Sequence, residues 1–201
     1  MMINRRAKFH FDNWFNEVNN KIGPYVIYQV GDLCCEPGYQ VWNHTQKVYE
    51  ISFIVSGKGT FYVNGDQYEV SAGMLFLNKI GEKHEVKSSS LEPLRFFYIG
   101  FTFSDDIGNT QIMKLKSFFD NPENRIVYHV SGMSELFAKL FIELKTGDFF
   151  LKRCWKTISI KFSSALIDAL VKINIIHTYS RKAKWTRNLC MTSSTLLKPR
   201  F

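Results

Sequence analysis

Two stretches, GYQVWNHTQKVYEISFIVSG at residues 38–57 and GMLFLNKIGEKHEVKS at residues 73–88, decide how this chain folds. In the first, Gly38 leads at fixed intervals to His44, Gln46, Glu50 and Gly57. In the second, Gly73 leads to Lys79, Gly81, His84 and Ser88. Within and between these stretches the chain reads as short strands divided by glycine turns. Val48–Ser56 is rich in β-branched and aromatic residues, Gly57-Lys58-Gly59 makes a tight turn, and Thr60–Val63 returns. Asn64-Gly65 is the strongest hairpin signal, because both residues tolerate positive φ. Gln67–Val70 pairs back, and Ser71-Ala72-Gly73 turns into Met74–Asn78.

Working outward, Tyr25–Val30 is a further strand, punctuated by Gly31, Pro37 and Gly38, and Leu94–Phe103 is a final long apolar strand. Residues 9–22 suit a short helix or an extended arm, with Phe9, Phe11, Trp14 and Phe15 needing burial. Many short strands with glycine turns predict a closed barrel or sandwich. After residue 130 the period changes. Ser134–Thr146 fits a helix with Ser134 as N-cap and Leu136, Phe137, Leu140, Phe141 and Leu144 on one stripe, ended by Gly147. A longer helix is expected over 151–179. Its stripe is Trp155, Ile158, Phe162, Leu166, Ala169 and Ile173, with Ala165 and Leu170 beside it. The two would form an antiparallel helical hairpin, either packed on the barrel or serving as a subunit interface. The division that follows is a barrel at 1–130, a helical dimerisation segment at 131–180 and a basic irregular tail at 181–201.

Bulk composition narrows the function. A chain of 201 residues with 45% hydrophobic and 15% aromatic content can bury one medium core. No apolar run reaches the roughly 18 residues that span a bilayer, and the N-terminus has no signal-peptide pattern, so no membrane partner is expected. Cys34, Cys35, Cys154 and Cys190 have no zinc-type spacing, and adjacent Cys34 and Cys35 make a poor disulfide pair. A reduced, cytoplasmic setting follows as the expectation. The formal charge of +8 is unevenly placed. Residues 1–130 carry a net −1 and residues 131–201 a net +9. The β-rich part therefore lacks the basic surface that nucleic acid selects, and the basic tail reads as a solvated segment.

The spacing of the two blocks resembles the signature blocks of the cupin β-barrel, the double-stranded β-helix or jelly roll. Three positions depart from it: Gln46 replaces the usual second His, Lys79 the usual Pro, and Ser88 the usual Asn. Strand alternation places His44, Gln46, Val48, Glu50, Ser52 and Ile54 on one face, with His84 arriving from the second block. Imidazole and carboxylate are metal ligands, so His44, Glu50 and His84 suit a divalent metal and a metal-dependent oxygenase or isomerase. The same groups, with Gln46, Trp42 and Phe61, equally suit a small polar ligand, and aromatic faces with a few hydrogen-bonding groups suit a sugar. A structural role is the third reading. No nucleophile elbow or phosphate-binding loop is present.

The run from Tyr49 to Phe61 followed by Val63-Asn64-Gly65, then Ala72–Leu77 with Gly81 and His84, and then Phe97-Tyr98-Ile99-Gly100-Phe101, resembles the sensor domain of AraC-type transcription regulators over roughly residues 25–180. The resemblance implies a cupin-like barrel that binds an effector, often a sugar, without a required metal or catalysis. It also implies a helical segment that makes a homodimer. The family's pair of helix-turn-helix units would follow, but only 22 residues lie beyond Tyr179. The expected product is therefore a sensor without its DNA-reading half, through truncation or a frame change, and with no specific DNA binding of its own.

Overall fold

The computed structural model describes residues 7–14, 21–105, 110–128 and 130–146. The expected helix over 151–179, its stripe from Trp155 to Ile173, and the tail lie outside the described residues. The elements are β1 (Ala7–Trp14), β2 (Lys21–Ile22), β3 (Tyr25–Cys35), β4 (Gln40–Thr45), β5 (Tyr49–Ser56), β6 (Lys58–Val63) and β7 (Asp66–Ser71). They continue with β8 (Leu75–Asn78), β9 (Lys83–Ser88), β10 (Leu94–Phe103), α1 (Thr110–Asp120), β11 (Ile126–Val127) and α2 (Met133–Thr146). One sheet runs β1-β3-β10-β5-β8-β11 with β2 beside β3, and a second runs β4-β9-β6-β7. All strand pairs are antiparallel. The result is the mainly β, cupin-like barrel that the spacing predicts.

Period-two alternation divides β5, β8 and β10 between two cores. Ile54, Phe76, Phe96 and Tyr98 face the second sheet and join Phe61, Val63, Val70 and Val86 inside the barrel. Ile51, Phe53, Leu77, Phe97 and Ile99 face the other way. There they pack with Ile112, Leu115 and Phe119 of α1 and with Met133, Leu136, Phe137 and Leu140 of α2. The helices thus cover the outer face of the larger sheet, and the start of α2 shares one core with that face. The Asn64-Gly65 hairpin is as expected: Asn64 has φ 51°, Gly65 has φ 96°, and Val63 opposes Asp66. Gly57 also has positive φ (79°), and a Cβ there would lie 1.7 Å from the Pro93 carbonyl oxygen, so only glycine fits the turn.

Locally, one open alternative resolves, one expectation changes and one element goes unforeseen. Part of the 9–22 segment is strand, because β1 pairs along β3 and satisfies that strand's free edge. Helix α2 begins at Met133: the Gly132 carbonyl accepts the Leu136 N–H at 3.1 Å, so Gly132, not Ser134, is the cap residue. Helix α1 goes unforeseen because its stripe is only Ile112, Leu115 and Phe119, too short to stand out from the surrounding sequence.

Candidate functional site

Two bulges shape a cavity of about 710 Å³ between the sheets. In β3 the register against β10 slips between Gly100 opposite Gln29 and Phe101 opposite Ile27, leaving Tyr28 as the extra residue. A bulge re-aims side chains, and consecutive Tyr28 and Gln29 both line the cavity. In β4 the register slips between Val41 opposite Val86 and His44 opposite His84. Val41 and His44 both line the cavity as a result. Trp42 does not: it is 69% exposed. The expected place of Trp42 on the inner face fails because unbroken alternation does not survive the bulge.

The floor is a single cross-strand row. Gln29 on β3, Gly100 on β10, Glu50 on β5 and Asn78 on β8 lie directly opposite one another. Gly100 leaves the gap that lets Gln29 reach Glu50: its Nε2 donates to Glu50 Oε2 at 2.9 Å. Glu50 also accepts from Asn78 Nδ2 at 3.1 Å, Ser52 Oγ at 3.1 Å and Gln46 Nε2 at 3.5 Å. Both carboxylate oxygens are thus engaged by neutral donors. Burial raises the Glu50 carboxyl above its ordinary value, while the bonds from Asn78, Ser52 and Gln46 and the nearby His44 pull the other way.

His84 stands opposite. It is 4% exposed, lines the cavity, and neither Nδ1 nor Nε2 has a hydrogen-bond partner. Burial first, and the adjacent His44 ring second, lower it to about 4, so the ring is neutral at ordinary pH. The two imidazole centroids are 4.1 Å apart. His44 is exposed at the rim, where Nδ1 donates to the Trp42 carbonyl at 2.9 Å. A carbonyl only accepts, so Nδ1 carries a proton.

His44, Gln46, Glu50 and His84 therefore share one cavity, as the spacing predicts. Phe61 does not join them. It is 1% exposed and packs against Phe76 and Phe96 with centroids at 4.7 and 5.6 Å, in the dry end of the same interior. Tyr28, Gln29, Tyr39 and Tyr98 belong to the cavity but were not anticipated. Two of them left a signal: a Cβ at Gly31 would fall 2.2 Å from the Tyr98 ring and one at Gly100 2.6 Å from Gln29 Cγ, so each glycine makes room for a cavity side chain.

Each departure from the cupin blocks has a local role. Gln46 is a donor to Glu50, and its backbone joins the 81–82 turn through Gln46 N–H to Glu82 O and Gly81 N–H to Gln46 O, both 2.8 Å. Lys79 bonds the Asn121 carbonyl, and its neighbour Glu82 holds Arg125 in a bidentate pair at 2.6 Å. Burial and the Arg125 charge lower Lys79 to about 8. Ser88 Oγ donates to Glu36 O at 2.6 Å and accepts the Tyr39 N–H at 2.8 Å, fixing the loop that carries Tyr39 to the rim.

Among the described residues no group of three His, Cys, Asp or Glu side chains is placed to hold a metal ion. His44 and His84 adjoin, but the Glu50 oxygens already serve four donors, so the three do not form a ligand set as they stand. The geometry is that of a binding cavity with a polar floor and aromatic walls.

A two-sheet barrel enclosing such a cavity defines a cupin-type ligand-binding domain. The AraC-like ligand binding domain family matches residues 27–153, and the chain belongs to that family. The chain is 32% identical over 78 residues to the uncharacterized HTH-type transcriptional regulator YfiF of Bacillus subtilis (strain 168); the match covers 38% of this chain and 24% of that protein. The chain thus spans about a quarter of the length of that relative. Solved structures similar to it include the protein YhaK from Escherichia coli, at 18% identity and TM-score 0.42, covering 50% of this chain and 48% of that one. A Cupin 2 conserved barrel domain protein from Salinispora arenicola CNS-205 aligns at 17% identity and TM-score 0.38, covering 46% and 73%. No helix among the described residues is long and apolar enough to cross a membrane.

Proposed function

We propose that this chain is the effector-sensing domain of a transcription regulator, that it binds a carbohydrate between the sheets without turning it over, and that it forms a homodimer through residues 131–180. One observation carries the ligand reading: His84 lines the cavity with both ring nitrogens unpartnered, while Glu50 of the same cavity is fully engaged. A buried imidazole without partners is costly. A hydroxyl, which both donates and accepts, meets either of its nitrogens. Tyr28, Tyr39, Phe96 and Tyr98 supply faces for the apolar side of a sugar ring. The family match and the likeness to an HTH-type transcriptional regulator of Bacillus subtilis support a regulatory rather than catalytic use.

The test is a thermal-shift series with neutral monosaccharides on the wild type and on His84→Ala. A ligand that binds only the folded state raises Tm, and the rise should disappear in the variant. A sugar that stabilises both equally would place its site elsewhere. Dimerisation is tested by size exclusion of Phe162→Glu with Leu166→Glu, which should elute as a monomer; an unchanged dimer would remove the stripe from the interface.

A further inference from the structure

The inner wall of the cavity carries one carboxylate and no cation. Lys47 is the other formally charged lining residue, and it is exposed at the rim. His84 sits deep but neutral, and His44 lies beside Lys47 in the mouth. No ion pair to Glu50 occurs among the described residues, where Asp32 pairs instead with Arg95 and Glu82 with Arg125. Buried charges are ordinarily paired. Glu50 is held by neutral donors alone, and its shell is the one an ionised carboxylate requires: two glutamine amides, an asparagine amide and a serine hydroxyl, each turned to donate.

This arrangement has a second consequence. Gln29 and Gln46 each give one N–H to Glu50, which leaves each amide a second N–H and its carbonyl oxygen at the cavity floor. Together with the imidazole of neutral His84, these amides present both donors and acceptors, which suits a ligand rich in hydroxyl groups.

We infer that the cavity selects its effector by charge, taking a hydroxyl- or amine-rich saccharide and rejecting the acidic counterpart, with Glu50 as the residue that sets the discrimination. The inference rests on the saccharide-sensing reading and adds to it the sign of charge that the ligand bears. A uronate or sugar phosphate would bring a second anion into an interior without a compensating cation, where like charges repel strongly. An ammonium group would meet the opposite situation, and the aromatic walls also favour a cation.

Isothermal titration of the full chain with matched triplets tests this: a hexose, the 2-amino-2-deoxyhexose and the hexuronate, in the gluco, galacto and manno series. In the series that binds, the hexose and the amino sugar should each bind about tenfold or more tighter than the uronate. In Glu50→Gln the uronate should come within about threefold of the hexose. A wild type that binds the uronate as tightly as the hexose overturns the charge selection while leaving saccharide sensing intact. A gap that persists undiminished in Glu50→Gln overturns the role of Glu50. Failure of all nine compounds to bind overturns the saccharide reading and the selection with it. The wild-type ratios decide the selectivity whether or not the variant folds.

Discussion

Gly100→Ala tests the floor of the cavity most directly. Replacing glycine by alanine inside a strand ordinarily gains about 0.4–1 kcal/mol by restricting the unfolded chain. Here the new Cβ would lie 2.6 Å from Gln29 Cγ, 3.0 Å from Gln29 Nε2 and 3.0 Å from Val48 Cγ2. The backbone pairs on both sides, Gly100 with Gln29 and with Glu50, leave the strand little freedom to retreat. The Gln29 side chain must yield, and with it the 2.9 Å bond to Glu50. A hydrogen bond to a charged group contributes about 1.5–3 kcal/mol. The loss outweighs the gain, and the net destabilisation should be about 1–2 kcal/mol. Urea unfolding of wild type, Gly100→Ala, Gln29→Ala and the double variant measures it. If alanine acts by displacing Gln29, the double variant costs clearly less than the two singles together, because the same bond cannot be lost twice. Strict additivity, or a Gly100→Ala protein as stable as wild type, would refute the reasoning.

Three further outcomes follow from the same geometry. His84 falls from 6.5 to about 4 on folding. Between those values the unfolded chain binds the proton and the folded one does not, so the contribution is fully present above about pH 6.5 and is lost as pH falls toward 4. At about 1.4 kcal/mol for each pH unit, roughly 3 kcal/mol is at stake. Glu50, raised by burial, acts in the opposite sense and loses stability as pH rises through its folded value. Urea midpoints near pH 7 and near pH 4.5 should therefore fall less in His84→Asn than in wild type, and an equal fall would remove His84 from the account. Phe61→Ala should cost about 3–5 kcal/mol in chemical denaturation, because it empties a dry, fully packed site. Trp42→Ala should stay within about 0.5 kcal/mol, and a larger loss would contradict the outward turn of that side chain.

The barrel was legible because its signals are local. Asn64-Gly65 demands positive φ, Gly57 admits no Cβ, and the alternation in Tyr49–Ser56 and Leu94–Phe103 assigns faces residue by residue. The meeting of His44, Gln46, Glu50 and His84 was legible for the same reason, since fixed spacing within paired strands is nearly fixed distance. Tyr28, Gln29 and the outward Trp42 were not legible. Each depends on a bulge, where one strand gains a residue relative to its partner, and the sequence of one strand does not announce what its neighbour's register will be. Phe61 shows a related limit: alternation places it on the inner face correctly, but only the rings of Phe76 and Phe96 decide that this part of the interior is filled.

The sequence by itself determined the strands, the turns and the family to which the domain belongs, because turn chemistry and periodicity act within a few residues. Tertiary structure decided which of the inward residues border open space. It also decided that Glu50 meets only neutral donors while His84 meets none, because those partners come from β3, the β4–β5 connection, β5 and β8 and are brought together only when the sheets close.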